Sequence, residues 1–306
     1  MIKPAAPINR VYVSSRFALH VDGQSALTPG FVKSVDGGGI TADVITVQTG
    51  KTTDLWRYSG KPKYEDFTIQ VGMGMSRGFY SWIEAFFARK YDRRNGAIIS
   101  ANFNYQEQSR RVFENAMISE VSFPALDGAD KNPGYLTVKL SPEKVTYQPG
   151  DNHILKETFQ NRQKMWKPAN FAVSIGSMPC KRISKVEGFA VKQQILENKT
   201  GASLETIKVP GRIEWPNISL MVPEVDIGPW AAWFEAEVVK GQFKSPGKQG
   251  WLSLKSPDLV TEYLHIDLHN IGISGCKPEK GEAGTDAIRK WKIDLHVDKL
   301  TCTYKG

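Results

Sequence analysis

The sequence predicts a mainly β protein built of two tandem domains, each a β-barrel or sandwich with one flanking helix. Three observations support this fold class. Short segments alternate apolar and polar residues or are rich in β-branched residues, as the strands of half-buried sheets are. Each half of the chain contains one segment with helical spacing of its apolar residues. The apolar pattern of the first half also recurs in the second half of this 306-residue chain.

The first half contains six predicted strands and one predicted helix. The helix covers Ser76–Lys90, because its apolar residues recur at intervals of three and four and therefore lie on one face. Ser76 is placed to cap its first turn, and Arg89 and Lys90 complement the dipole at its end. The predicted strands are Phe17–Val21, Ala42–Val47, Asp66–Val71, Ala97–Phe103, Arg110–Met117 and Tyr135–Tyr147.

The second half repeats this order of elements. Its helix is predicted over Pro229–Val239, with Pro229 in the first turn, where the missing amide hydrogen has no helical partner in any case. Strands on both sides of a single helix indicate an antiparallel barrel or sandwich whose mouth the helix closes. The predicted strands are Phe171–Ile175, Lys181–Val186, Asn217–Val222, Gly250–Leu254, Glu262–Leu268 and Lys290–Tyr304.

An internal repeat relates the two halves. Apolar positions coincide at one constant spacing in the middle of each half and at slightly larger spacings in the first and closing strands, and loop insertions explain the drift. The corresponding segments are Tyr64–Val71 with Trp215–Val222, Phe79–Ile83 with Trp230–Phe234, Phe17–Val21 with Phe171–Ile175, and Leu136–Tyr147 with Ile293–Tyr304. We therefore predict a first domain over residues 1–149, a polar linker over 150–169, and a second, divergent domain over 170–306.

The charge, the hydropathy and the cysteine content argue against several classes of protein. The net charge of +8 arises from 40 Lys and Arg against 32 Asp and Glu, spread over both halves, whereas a nucleic-acid-binding domain usually concentrates such charge. No apolar run is long enough for a transmembrane helix, and the amino terminus lacks the apolar run of a secretory signal. Cys180, Cys276 and Cys302 form no Cys-x-x-Cys pair, so we expect neither a disulfide framework nor a zinc ribbon. These features favour a cytoplasmic protein.

No motif indicates catalysis or a cofactor. The glycine-rich segment Gly72–Gly78 has neither the dinucleotide nor the phosphate-loop spacing, and no Gly-x-Ser-x-Gly elbow occurs. The best metal candidates are His265, Asp267 and His269, which alternate along one predicted strand and so share a face. The same alternation is also typical of the polar outer face of an ordinary strand. We therefore expect no enzyme, no cofactor and no metal.

Several segments of the first half carry a family resemblance: Phe17–Gly23, Gly30–Gly37, Gly60–Gly72, Phe79–Ile83, Val112–Ile118 and the strand that ends at Tyr147. Together they resemble the tail-tube proteins of contractile phages and of contractile injection systems. The resemblance covers about residues 16–148 and extends more faintly, through the repeat, to 171–304. It implies a β-barrel with one helix that joins its neighbours in a ring of six around an open channel. Such rings stack into a tube.

The resemblance also implies contacts and partners. It places ring-to-ring contacts at Met1–Arg16, Gly37–Leu55 and Phe189–Lys208, and it implies tube, baseplate, cap and sheath proteins as partners. Two such domains in one chain depart from the family pattern. Three copies would then build a pseudo-sixfold ring, or six copies would build two stacked rings, and we favour a trimeric adaptor or hub at a tube end. The alternative functions are a monomeric β-rich module that binds a carbohydrate or a partner, and a metal-dependent enzyme.

Overall fold

A computed structural model describes residues 16–22, 30–48, 55–155, 166–198, 201, 205–243, 246–281 and 288–306. The predicted mainly β class is confirmed, since the described residues form two large antiparallel sheets, a separate two-stranded hairpin and two α-helices. Neither helix in this part of the chain is long and apolar enough to cross a membrane. The predicted linker 150–169 lies partly outside the described residues, and the buried residues Leu155 and Trp166 flank the part that does.

The first half contains ten strands and helix α1, Arg77–Phe87. The strands are β1 Arg16–Val21, β2 Gly30–Gly37, β3 Ile40–Gln48, β4 Leu55–Tyr64, β5 Phe67–Val71, β6 Arg94–Ala101, β7 Glu107–Phe123, β8 Leu126–Asp127, β9 Leu136–Ser141 and β10 Lys144–Pro149.

The second half contains eight strands and helix α2, Ile227–Phe234, which a 3₁₀ turn (Glu224–Asp226) precedes and a π turn (Glu235–Val239) follows. The strands are β11 Phe171–Ile175, β12 Lys185–Val186, β13 Phe189–Asn198, β14 Ile207–Glu214, β15 Ile218–Pro223, β16 Lys248–Lys255, β17 Glu262–Pro278 and β18 Lys290–Tyr304.

Six strands of the first half close on themselves. Going round, β6, β1, β2, β5, β9 and β7 each pair antiparallel with the next, and β7 pairs with β6 to complete the circuit. The circuit is possible because β7 is long enough to pair with β6 along its first part and with β9 along its last part. Fully buried side chains such as Phe67, Ile69 and Phe113 belong to its core.

Helix α1 packs on this barrel by one apolar face. Ser76 is its N-cap, and the Ser76 hydroxyl accepts a hydrogen bond from the backbone N–H of Phe79 at 3.2 Å. The helix ends at Phe87 rather than at the predicted Lys90, because Arg89 has a positive φ of 58° and breaks the helical path. Its buried residues are Phe79, Tyr80, Trp82, Ile83, Phe86 and Phe87.

The second sheet has the order β11-β16-β17-β18-β15-β12-β8. Its last strand, β8, comes from the first half of the chain, and β13 of the second half pairs in turn with β7 of the first. Each half therefore contributes a strand to the sheet of the other. A single continuous cluster of buried apolar residues runs through both halves.

The hairpins β3–β4 and β13–β14 share one register. In the β3–β4 hairpin Thr41 pairs with Lys63, and a bulge begins one residue after Thr41. In the β13–β14 hairpin Lys192 pairs with Glu214, and a bulge begins one residue after Lys192. Both strands of both hairpins, and both bulges, therefore correspond at the spacing that the sequence predicted for the middle of the two halves.

The long strands β7 and β17 share their irregularities as well. A bulge follows Ile118 in β7 and Ile273 in β17. Asn115 and Asn270, which precede these bulges, both have positive φ values, 52° and 55°. Asn115 and Asn270 are separated by the same number of residues along the sequence as Ile118 and Ile273 are. The two long strands therefore correspond residue by residue at this point.

The closing strands of the two halves follow the register of the long strands. Leu140 pairs with the residue before the bulge in β7, and Leu295 pairs with the residue before the bulge in β17. Leu140 therefore corresponds to Leu295. The sequence-based alignment, which paired Tyr147 with Tyr304, is wrong by two residues in these strands.

Candidate assembly surfaces

The first candidate surface is the junction between the two halves inside the chain. The base of the β13–β14 hairpin adds to the edge of β7, with Phe189–Lys192 opposite Glu120–Phe123. The rings of Phe189 and Phe123 stack with centroids 4.8 Å apart. Val191 and Val121 form a cross-strand pair and are both 0% exposed. Strand pairing and apolar burial therefore hold the junction together.

A buried polar cluster supports the same junction. Lys208 of β14 is only 6% exposed, and its ammonium group donates to the Ser141 hydroxyl at 2.9 Å and lies 3.3 Å from the Asp66 carboxylate. The backbone N–H of Lys208 donates to Glu143 at 2.8 Å, and Arg93 donates to the Lys208 carbonyl at 2.6 Å. The cluster supplies the partners that a buried ammonium group needs. Sequence reasoning missed Lys208, since nothing in the local pattern marks it as buried.

The carboxyl-terminal strand makes a third contact between the halves. Tyr304 donates its backbone N–H to Glu84 at 2.7 Å, and Arg77 donates to the Tyr304 carbonyl at 2.7 Å. The Tyr304 ring stacks on Tyr80 of α1. Burial, followed by the charge of Tyr304, raises the pKa of Tyr80 well above its ordinary value. This corner is therefore a packing site in which the Tyr80 phenol stays protonated.

The hairpin β3–β4 stands apart from both sheets. It is a two-stranded sheet of its own, and nearly all of its described side chains are exposed. Lys63 and Asp43 form an ion pair across it at 2.7 Å. Several of its large apolar side chains face solvent, namely Ile40, Val44, Ile45, Leu55, Trp56 and Tyr58. Exposed apolar side chains in this number are typical of an interaction surface.

The far ends of the two hairpins expose apolar residues at corresponding positions. In the shared register of the hairpins, Ile45, Trp56 and Tyr58 correspond to Leu196, Ile207 and Val209, and all six are exposed. The predicted contact segments Gly37–Leu55 and Phe189–Lys208 contain parts of these hairpins, although residues 49–54, 199–200 and 202–204 lie outside the described part. Of the predicted segment Met1–Arg16, only Arg16 is described.

The predicted metal candidates lie on one face of β17, as alternation requires. His265 contacts Glu262 at 2.7 Å through Nδ1 and Asp267 at 3.1 Å through Nε2, and its ring stacks on Trp251. His269 contacts the Thr301 hydroxyl at 2.9 Å instead of joining the other two. Within the described residues, no group of three or more His, Cys, Asp or Glu side chains is arranged to hold a metal ion.

The carboxylate of Glu262 lies within an ordinary charge network. Burial opposes its ionisation, but hydrogen bonds from Lys305 and His265 outweigh this effect and lower the pKa of Glu262. Strands β17 and β18 pair, with Asp267 opposite Thr301 and His296 opposite Gly272. The alternating polar residues of β18 (Asp294, His296 and Asp298) therefore do not lie opposite the three metal candidates of β17.

The glycine-rich turn before α1 is filled by the protein itself. The Tyr80 hydroxyl donates to the Gly72 carbonyl at 2.8 Å, and Met73 is fully buried.

The basic side chain of Arg94, which follows α1, has a structural role, since it forms an ion pair with Asp92 at 2.6 Å. Within the part of the chain that the structure describes, the three cysteines are free thiols, and burial raises the pKa of Cys302.

The family model of the T4-like virus tail tube protein gp19 matches residues 13–146. None of the curated proteins matches. Among solved structures, the chain is similar to a protein of the sheath-tube complex of PVC, an extracellular contractile injection system, in its extended state. The two sequences are 18% identical, the match covers 44% of this chain and 88% of that chain, and the TM-score is 0.35.

Two further solved structures are similar over the same share of this chain, 44%. One is from the tube-terminating cap of the anti-feeding prophage, with 18% identity, 88% of that chain covered and a TM-score of 0.38. The other is from the baseplate of the anti-feeding prophage, with 11% identity, 91% of that chain covered and a TM-score of 0.34. Residues 13–146, in the first half of this chain, therefore match the model of the phage tail tube family.

Proposed function

We propose that this protein is a structural, non-enzymatic component of a contractile phage tail or injection system, forming a ring around the tube channel. The match of residues 13–146 to the tail tube family model is the observation that carries this proposal. The chain assembles in the cytoplasm, becomes part of the particle, and contacts tube, baseplate, cap or sheath proteins there.

The two halves act as two tube domains in this proposal, with the divisions 1–149, 150–169 and 170–306. The shared hairpin register, the shared bulges and the shared positive-φ asparagines support a duplication. The two domains are not structurally independent, because the strand pairs β7–β13 and β8–β12 join their sheets. Three copies then present six related domains, as a pseudo-sixfold ring requires. Repeated head-to-tail contacts close into such rings when the rotation allows.

A position at a tube end, as an adaptor or hub, is supported by the differences between the halves. The first half closes its barrel, whereas within the described part of the chain β11 and β12, the counterparts of β1 and β2, do not pair, and the second sheet stays open. Helix α2 is shorter than α1, and only Trp230 is fully buried on it. A ring whose two domain types differ in this way offers different faces to different neighbours, as the end of a tube requires.

The exposed ends of the two hairpins are the surfaces for stacking on the next ring. They display apolar residues at matching positions in both halves, so a ring would present six similar apolar tips. Burying such tips against a neighbouring ring is favourable because apolar surface leaves water. The double variant Trp56→Ser and Tyr58→Ser should leave the ring intact and weaken its binding to the tube protein of the same particle.

Electron microscopy and native mass measurement of the purified chain test the proposal. Annuli with a mass of three chains are expected. A six-chain particle of two stacked layers would retain the tube function and replace the trimeric arrangement. A species that stays monomeric at all concentrations, also when mixed with its tube protein, and that binds a glycan saturably would overturn the proposal in favour of a binding module.

A further inference from the structure

We propose that the base of the β3–β4 hairpin of one copy pairs with the edge of β17 in the next copy, with Ile40 opposite Cys276 and Thr41 opposite Gly275. The inference rests on the proposed ring and specifies its contact between chains. The contact inside the chain is its template, because the β13–β14 hairpin already adds to β7 in this way. The occupant of the edge is therefore a second copy of the same chain.

Among the described residues, no strand covers the edge of β17 that would receive the hairpin. In β7 one side pairs first with β6 and then, from Glu120 to Phe123, with β13. In β17 the corresponding side pairs with β16 only as far as Ile271, and no described strand pairs with Gly275–Pro278 on that side. When β7 and β17 are aligned at their shared bulge, Gly275–Pro278 corresponds to Glu120–Phe123. A vacant edge of this kind is a site for strand addition.

The base of the β3–β4 hairpin, which would pair with this edge, is exposed to solvent. Val191, at the base of the second hairpin, is 0% exposed because β7 covers it, whereas its counterpart Ile40 is 51% exposed. Gln193 is buried in the same way, and its counterpart Ala42 is exposed. The difference lies at the base of the hairpin, where the template contact occurs. Gly38 has a φ of 73°, so the regular strand of β3 starts at Ile40 and the new pairing starts there.

Charged groups near the contact correspond as well. Glu143 accepts from Asn115 and from the backbone of Lys208 in the template. Its counterpart Asp298 accepts from Asn270, the counterpart of Asn115, and is exposed. The counterpart of Lys208 is Arg57, which is basic and exposed on β4. In the template the Lys208 backbone N–H donates to Glu143, so docking would bring the backbone N–H of Arg57 of one copy to the Asp298 carboxylate of the next and place a basic residue beside an acidic one.

The contact is head-to-tail, and this explains why it would close. Each copy gives the hairpin of its first half and receives another on the edge of its second half. A chain of such contacts leaves one hairpin and one edge unused until the last copy meets the first. With the template contact inside each chain and the new contact between chains, three copies provide six similar junctions. No vacant hairpin base or β17 edge then remains in the ring.

A disulfide trap tests the register directly. The substitution Ile40→Cys, made in a Cys180→Ser background, places a thiol opposite the native Cys276 of the next copy, within the distance that a disulfide spans in directly opposed antiparallel positions. Mild oxidation of the purified full chain should convert most of it to covalent dimers and trimers on a non-reducing gel, and reduction should reverse this. Two controls should stay monomeric on that gel: Ile40→Cys combined with Cys276→Ser, and Val44→Cys, which lies beyond the paired base.

The outcomes separate this contact from the ring itself. Annuli that form while Ile40→Cys gives no cross-link would overturn the contact and leave the proposed function standing. A chain that forms neither annuli nor cross-links would overturn both. A charge exchange provides a second measurement: Arg57→Glu should reduce the ring fraction at least tenfold, and adding Asp298→Arg should restore it. Equal ring fractions in the wild type and Arg57→Glu would contradict the pairing of these two charges.

Discussion

Tyr304, the last residue of β18, lies flat against Tyr80 of helix α1, with ring centroids 3.7 Å apart and ring planes 6° apart. The two residues come from opposite halves of the chain. The Tyr304 hydroxyl donates to the Met73 carbonyl at 3.2 Å, and its backbone N–H is held by Glu84. The carboxyl-terminal strand of the second half is therefore fixed to the helix of the first half.

The first prediction concerns this stack. Tyr304→Ala should lower the free energy of unfolding by about 3–4 kcal/mol, because it removes a buried aromatic ring and leaves a cavity. Tyr304→Phe keeps the ring and should cost about 1 kcal/mol for the lost hydrogen bond. Chemical denaturation of the full chain measures both, with Tyr147→Ala, on an exposed tyrosine, as control. Equal losses in Tyr304→Ala and Tyr147→Ala would show that the stack contributes nothing.

The second prediction compares two corresponding basic residues. Lys208→Ala should lower the free energy of unfolding by about 2–3 kcal/mol, since it removes charged hydrogen bonds to Ser141 and Asp66 in a buried setting. Arg57→Ala, at the exposed counterpart, should change it by less than about 0.5 kcal/mol. Denaturation at a concentration where the chain is monomeric measures both values. A larger loss in Arg57→Ala than in Lys208→Ala would be incompatible with the junction described.

The third prediction concerns the turn into the hairpin β3–β4. Gly37 has a φ of 76°, and a Cβ there would press against the Asp66 carbonyl oxygen. Gly37→Ala should therefore cost about 1–3 kcal/mol of stability. Gly72→Ala is the matched control, because a Cβ at Gly72 meets nothing within 4 Å, and its cost should stay below about 1 kcal/mol. Thermal unfolding in parallel gives the comparison, and a neutral Gly37→Ala would refute the strain.

The fourth prediction concerns pH. The hydrogen bond from Arg182 to Asp226, at 2.8 Å, lowers the pKa of Asp226. A carboxylate with a lowered pKa in the folded state stabilises the fold above its ordinary pKa, and this stability is lost as the pH falls through the lowered value. Asp226→Asn should therefore lower Tm at neutral pH, and the difference from the wild type should shrink in acid. Asp36→Asn serves as the control for removing one charge, and a difference that grows in acid would contradict the prediction.

The elements that bury an apolar face could be predicted from the sequence. Strands β11 and β18 have the predicted bounds, and the cap of α1 at Ser76 is confirmed. Strands β2 and β8 were missed, and so were β4, β13 and β14. The two hairpins to which they belong extend away from the sheets for much of their length, so no single buried face imposes a clear alternation on their residues.

The joining of the halves could not be predicted, because it depends on pairing between residues far apart in sequence. The segment Arg110–Met117 was predicted as a strand, but β7 continues to Phe123 and there receives β13. A buried lysine such as Lys208 has the sequence signature of an exposed one. For the predicted metal candidates, alternation correctly placed His265 and Asp267 on one face, while the hydrogen bond of His269 to Thr301 depends on the neighbouring strand.

The sharing of β7 has a consequence for biosynthesis. All strands of the first barrel leave the ribosome before β13 does, so this barrel can close early, but the stretch Glu120–Phe123 then waits without its neighbour until β13 is made. During that interval the nascent chain exposes an unpaired strand edge, and such an edge favours pairing with other nascent chains. Fusing both halves in one polypeptide supplies the protecting strand in the same molecule, and a gene split between them would lose that safeguard.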